Sequence, residues 1–221
     1  MKIEKVIEVI SLFGAIGVIF YFLHVILGTR FYEGYNPIAQ AISDLTASNS
    51  PSKRVASIFS FLYGIFTVIF SITLFIYFKG EINKPITFGS CFFCIMTIIS
   101  FLGYTMFPLS EEGYAGTFQD KMHMVVTIAV VLFTVISIAL FAFGFLISKE
   151  YKYIGIISIC VLLLLITGVI LINKLPKNYF GIAERINVYS IVIYTGILSL
   201  WMCKYVRINL TPTAIHGVWR F

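Results

Sequence analysis

Charged residues are scarce in this sequence of 221 residues, at 12% of the chain against 59% for hydrophobic residues. So few charges cannot cover a soluble particle of 25.0 kDa, which excludes an ordinary cytosolic domain and a disordered chain. The chain has four cysteines, too few to indicate a small secreted fold held together by disulfides. Together with a mean hydropathy of +0.97, these shortages predict an integral membrane protein.

Familiar catalytic motifs are also missing. The sequence contains no H-E-x-x-H zinc motif, no nucleophile elbow and no phosphate-binding loop. Its three histidines include no H-x-x-x-H pair. The sequence therefore leaves open whether the protein is an enzyme.

Six apolar runs reach the length of roughly 20 residues that an α-helix needs to cross a bilayer. No repeat or Gly/Ser linker separates them, so we expect one all-α transmembrane bundle within residues 1–206, followed by a cytoplasmic tail at 207–221. The predicted helices lie near residues 5–28, 54–79, 84–106, 121–147, 151–174 and 186–206.

The 16 lysines and arginines contribute to a net charge of +6, but they stand singly or in pairs beside the apolar runs. This placement is typical of topology signals and not of a nucleic-acid-binding surface. Nine of them fall on the side of both termini and seven on the opposite, outer side. We therefore expect a multi-pass protein of the cell membrane with cytoplasmic termini and membrane lipid as its partner. An oligomer is neither excluded nor indicated.

The first outer loop has a pattern of its own. Apolar residues recur at helical spacing after Asn36-Pro37, a typical helix start, and predict a short interfacial helix over residues 37–45. Asp44 lies near the end of this predicted helix, where the peptide dipoles disfavour a negative charge. We therefore expect another group to hold Asp44.

The fourth predicted helix begins with a polar motif. Thr117-Phe118-Gln119-Asp120 is a capping box, which gives Asp120 a structural role beside any functional one. His123 follows in the second turn, and Thr127 and Thr134 continue its face of the helix. This polar face is expected to contact other helices and not lipid.

Polar residues collect at the outer ends of the predicted helices and in the outer loops. An ionisable side chain in a membrane helix is costly, so its default interpretation is a site or a pathway. We expect an outward-opening polar cavity among the first, fourth and sixth helices, with Arg185 paired to Asp44. The candidate site residues are His24, Ser43, Asp44, Asp120, His123, Glu184, Arg185 and Asn187.

Three motifs at the outer face can be compared with known families. They are Tyr35-Asn36-Pro37 with Ile42-Ser43-Asp44-Leu45, Phe107-Pro108 with Asp120-x-x-His123, and Gly181-Ile182-Ala183-Glu184-Arg185. In this order they resemble the six-helix membrane family called domain of unknown function 998 (DUF998), from about residue 8 to 206. That family is distantly similar to the Frag1/DRAM/Sfk1 group. The resemblance implies no reaction, but it favours Asp44, His123 and Arg185 as site residues.

Two functions of different classes remain open, and both use the same residues. In the first, a lipid-directed membrane enzyme uses Asp44 and His123 as acid and base or as metal ligands, with Arg185 holding a polar head group. In the second, the cavity binds or transports a small solute or lipid, or serves a partner protein, without catalysis.

Metal binding is open on the same grounds. If a metal binds, His24, Asp44 and His123 are its candidate ligands, and zinc accepts such a set together with a water. A C-x-x-C in the third predicted helix has the spacing of a redox pair but lacks the adjacent cation that activates a thiol. The sequence assigns no role to the cysteines, which are Cys91, Cys94, Cys160 and Cys203.

Overall fold

The computed structural model describes residues 2–111 and 113–210, and the regular secondary structure within them is helical. Six stretches are long and apolar enough to cross a membrane, the first made of α1 and α2 together. The prediction of an all-α bundle with six transmembrane helices is therefore confirmed. The helices are α1 (Lys2–Ser11), α2 (Phe13–Arg30), α3 (Lys53–Phe78), α4 (Lys84–Met106), α5 (Phe118–Ile147), α6 (Lys152–Lys174) and α7 (Phe180–Leu210).

The helix ends follow local side-chain chemistry. The capping box of α5 forms as predicted, with the Thr117 side chain on the Asp120 amide and the Asp120 side chain on the Thr117 amide. Asn83 caps α4 by accepting a hydrogen bond from the Ile86 amide at 3.0 Å. At the other end of the chain, α7 extends to Leu210, and the predicted tail from residue 211 onward lies outside the described residues.

The helices pack as a ring in chain order. Each of α2 to α6 packs against the next helix in the sequence, and α7 closes the ring on α2. Glycine permits some of these close contacts: a Cβ atom on Gly168 of α6 would lie 3.0 Å from the backbone nitrogen of Asn187 on α7. The first and last membrane-spanning segments are therefore neighbours.

The interior of the ring differs between its two ends. Towards the termini it is filled by large apolar side chains that are fully enclosed, among them Phe70, Phe93, Phe141 and Leu198. Towards the opposite end, tyrosines, histidines and carboxylates replace these side chains on the inner faces of the helices. Among the described residues, the buried histidines and carboxylates are therefore concentrated in one half of the bundle.

The segment between α2 and α3, residues 31–52, lies across that polar end and is called L1 below. L1 contains a short helix, but it is a 3-10 helix at Ser43–Thr46 and not the longer helix predicted over residues 37–45. The physical reason is competition from α7. The carbonyl of Ile38 accepts the Ile182 amide at 3.2 Å, and the amide of Ile42 donates to Glu184 at 2.6 Å, so neither is left for a helix within L1.

Candidate functional site

Arg185 joins the first turns of α7 to L1. Its Nη1 atom donates to the carbonyls of Gln40 and Gly181, both at 2.9 Å, and its Nη2 atom donates to the Tyr35 hydroxyl at 2.6 Å. Burial raises the pKa of Tyr35 to about 12 despite the nearby guanidinium, so the hydroxyl keeps its proton and donates it to the Ala41 carbonyl at 2.6 Å. Arg185 thus holds a folded turn of L1.

Glu184, the preceding residue, binds the backbone of the same loop at Ile42 and Ser43. Its Oε2 atom accepts the Ile42 amide at 2.6 Å, and the backbone of Ser43 is a second hydrogen-bond partner. The Ser43 carbonyl also accepts the Thr46 hydroxyl at 3.2 Å. The candidate residues Ser43, Glu184 and Arg185 are therefore brought together at the contact between L1 and α7.

Asp44 is buried and acts as a second tie for L1. Its Oδ2 atom accepts the Ala41 amide at 2.9 Å, and its Oδ1 atom accepts the Gly113 amide at 3.0 Å. Gly113 lies in the connection between α4 and α5 and has a positive φ of 79°, a backbone conformation that glycine adopts readily. Asp44 thus ties L1 to the far side of the ring.

The predicted pair between Asp44 and Arg185 is wrong. Both residues are described, yet no ion pair joins them, because each takes its hydrogen bonds from the backbone or from Tyr35. Sequence reasoning assumed that the two opposite charges would seek each other. Backbone amides and carbonyls released by the irregular course of L1 satisfy both charges instead.

Asp120 is fully buried and has the densest set of hydrogen bonds among the candidate residues. It accepts the amide and hydroxyl of Ser110, at 2.8 and 2.9 Å, and the amide and hydroxyl of Thr117, both at 3.0 Å. These four donors occupy both carboxylate oxygens. The geometry therefore supports the structural role expected from the capping box.

The two membrane histidines share one arrangement. The Nδ1 atom of His24 faces the Ala56 carbonyl at 2.9 Å, and the Nδ1 atom of His123 faces the Phe107 carbonyl at 2.8 Å. A carbonyl only accepts hydrogen bonds, so each Nδ1 atom carries a proton, and the Nε2 atom of the neutral ring keeps a lone pair. Neither Nε2 atom has a hydrogen-bond partner within the described part of the chain.

Five helices bring polar side chains to the inner side of the ring below L1. Tyr63, Tyr104 and Glu184 are each within electrostatic range of Tyr21. The His24 ring centroid lies 5.7 Å from that of Tyr21, and the His123 ring centroid lies 4.9 Å from that of Tyr104. We call the following residues the inner polar set: Tyr21, His24, Tyr63, Tyr104, His123 and Glu184. The candidate residue Asn187 lies instead against α6, where a Cβ atom on Gly168 would be 3.0 Å from the Asn187 Cβ atom.

Sequence reasoning missed Tyr63 and Tyr104 as parts of this set. The signal for Tyr63 is its position midway between Ala56 and Phe70, seven residues from each and so on the same helix face. Ala56 and Phe70 are 0% exposed. Once one buried position on α3 is known, the seven-residue spacing therefore identifies other residues on the same inward face.

The candidate metal ligands do not form a metal site in residues 2–111 and 113–210, where no group of three His, Cys, Asp or Glu side chains could hold an ion. The physical reason is that Asp44 turns its oxygens to backbone amides of L1 and Gly113. All four cysteines are free thiols.

Two surface cavities lie away from the predicted site residues. One of about 620 Å³ runs along Thr29 to Tyr35, and the other, of about 420 Å³, is lined by Glu81, Lys149 and Tyr205 at the opposite end of the ring. The predicted outward-opening cavity is a different feature from either and stays a prediction.

Comparisons with known proteins address the family of the chain and not its activity. The profile of the family described as Protein of unknown function (DUF998) matches residues 15–201. No curated protein and no solved structure matches the chain. The distant similarity to the Frag1/DRAM/Sfk1 group stays a prediction. Because the family match covers most of the chain and includes all eight candidate site residues, the protein belongs to the DUF998 family.

Proposed function

We propose that this protein binds a small polar ligand, either a solute or a lipid head group, in a polar chamber at the outer side of the membrane. The chamber is the space bordered by the inner polar set and covered by L1. The observation that carries the proposal is a group of polar atoms without protein partners on buried or partly buried side chains: the Nε2 atoms of His24 and His123 and the hydroxyls of Tyr21 and Tyr63.

The hydrogen-bond partners of the enclosed polar atoms support an open space beside these atoms. Within the described residues, no side-chain nitrogen or oxygen is both enclosed and unpartnered. The unpartnered atoms of the inner polar set therefore reach the accessible surface, which supports a space beside them. Tyr63 agrees with this, because it is partly exposed although Ala56 and Phe70, on the same inward face of α3, are not.

Binding without catalysis accounts for the charged residues better than an enzyme does. An acid and base pair of Asp44 and His123 would need a carboxylate free to exchange protons, but both Asp44 oxygens accept backbone amides. In the described chain, no Ser, Thr or Cys side chain is hydrogen-bonded to either imidazole. The carboxylates therefore serve to fix L1 over the chamber, and the histidines and tyrosines are left to contact a ligand.

Cysteine accessibility tests the chamber. In a background without the four native cysteines, Tyr63→Cys is expected to react with a small membrane-impermeant thiol reagent added from outside, because the side chain borders the chamber. Phe70→Cys is the matched control, since it lies one heptad deeper on the same helix face, within the apolar core. It is expected to remain unlabelled under the same conditions.

The labelling pattern separates the parts of the proposal. If Tyr63→Cys is as unreactive as Phe70→Cys from both sides of the membrane in folded protein, there is no chamber. If Tyr63→Cys reacts only when the reagent is added to the side of the termini, the chamber stands and its outward orientation is wrong.

A further inference from the structure

We infer that the ligand of the polar chamber presents a primary ammonium group, an inference that rests on the proposed function and adds the chemistry of the ligand. The group is the same in a free amine and in an aminolipid head group. The structural basis is the juxtaposition of two imidazole lone pairs, a carboxylate and several tyrosine rings on the inner faces of α2, α3, α4, α5 and α7.

The two histidines can form hydrogen bonds only with a ligand that donates them. The Ala56 and Phe107 carbonyls hold the Nδ1 protons of His24 and His123, so both rings offer only an acceptor to the chamber. A phosphodiester or a carboxylate would place its own lone pairs against these acceptors and gain nothing from them. The two imidazoles are therefore suited to a ligand with N–H or O–H groups.

The aromatic side chains favour a positive charge among such donors. The Tyr21 and Tyr63 ring centroids are 4.9 Å apart, and Tyr104 adds a third ring on the next helix. A cation over the face of such rings is attracted by their quadrupole, an interaction that a neutral hydroxyl does not make.

The acidic and basic side chains nearest to the chamber are Glu184 and Arg185. Glu184 places a carboxyl group at the upper edge of the inner polar set and uses its Oε2 atom for the Ile42 amide. Arg185 is within electrostatic range of Glu184, but its Nη atoms are occupied by hydrogen bonds to Gln40, Gly181 and Tyr35. Among the described residues, the chamber thus has an acid at its edge, and the nearby guanidinium directs its Nη donors to other partners.

Calorimetric titration of the full chain in phosphatidylcholine nanodiscs tests this chemistry with four probes: ethanolamine, choline, glycerol and inorganic phosphate. Ethanolamine is expected to bind. Choline, which keeps the charge but has no N–H group, and glycerol, which has donors but no charge, are each expected to bind at least about tenfold more weakly. Phosphate is expected not to bind.

A pair of variants ties the binding to the chamber. Tyr63→Phe removes a hydroxyl that borders the chamber and is expected to weaken ethanolamine binding by about tenfold. Tyr153→Phe is the control: it makes the same change on α6, at a side chain that is 49% exposed on the outside of the ring, and is expected to leave the affinity unchanged.

The lipid composition distinguishes the two sources of the ammonium group. If an aminolipid is the occupant, replacing phosphatidylcholine by phosphatidylethanolamine will raise the thermal stability of the wild type and abolish binding of free ethanolamine. If a free amine is the occupant, the exchange will change neither quantity. Both results support the inference and name the source.

Other outcomes overturn the inference. Equal affinity for glycerol and ethanolamine, binding of phosphate, or equal affinity for choline would show that the ammonium donors are not recognised. If none of the four probes binds in either lipid while Tyr63→Cys still reacts from outside, the inference of an ammonium ligand is wrong and the proposed chamber stands. An unreactive Tyr63→Cys would instead remove the proposed function itself.

Discussion

Replacing Asp120 by alanine is expected to lower the free energy of unfolding by about 3 kcal/mol, because the amides of Ser110 and Thr117 lose their charged acceptor in a buried site. The hydroxyls of the same two residues lose it as well. Reversible unfolding of the purified protein in mixed micelles at increasing sodium dodecyl sulfate measures the change. The same loss should free the connection between α4 and α5 to which Asp44 is tied.

Gln119→Ala provides the control for this prediction. Gln119 precedes Asp120 in the same first turn and makes a single exposed hydrogen bond, from its Nε2 atom to the Met106 carbonyl at 3.0 Å. Its replacement is expected to lower the free energy of unfolding by less than about 1 kcal/mol. Equal effects of the two substitutions would contradict the role of Asp120 as the buried anchor of this connection.

Gly181→Ala is expected to lower the free energy of unfolding by about 2 to 3 kcal/mol, because the new methyl group would enter the contact between α7 and L1. The added Cβ atom would meet the Gln40 carbonyl oxygen, lie 2.5 Å from the Pro37 carbonyl oxygen and lie 2.8 Å from Nη1 of Arg185. Two of these atoms belong to the backbone and cannot rotate away. The variant should therefore show faster hydrogen exchange at the Ile42 and Ile182 amides.

Gly196→Ala is the matched substitution on the same helix. A Cβ atom at Gly196 would approach nothing closer than Val18 Cγ2, at 3.3 Å, which is the end of a side chain. Alanine is also the better helix former by up to about 1 kcal/mol, so this variant is expected to be neutral or slightly more stable. Equal destabilisation by both substitutions would mean that the L1 contact at Gly181 has no special weight.

Features of the fold that depend on local chemistry were predictable from the sequence. The six membrane-spanning helices follow from the length of the apolar runs, and the start of α5 follows from a motif of four residues. Both signals are complete within the segment that they describe. Distant parts of the chain have little influence on them.

The course of L1 depends on partners far away in the sequence, which is why the predicted extent of its helix and the predicted Asp44 partner were wrong. Residues 37–45 have helical spacing, but α7 takes the Ile38 carbonyl and the Ile42 amide out of any helix. Asp44 binds an amide 69 residues away at Gly113. No property of L1 alone indicates which of several buried donors will reach its carboxylate.

The contact between L1 and α7 can form only late in the synthesis of this protein. The Gln40 carbonyl is made 145 residues before Arg185, and at 5 to 20 residues per second the ribosome needs roughly 7 to 30 s to cover that distance. During this interval L1 has left the ribosome while its partners on α7 do not yet exist. In a nascent chain halted before α7, the Gln40 carbonyl and the Ile42 amide of L1 therefore lack their partners, and L1 is more open to proteases than in the finished protein.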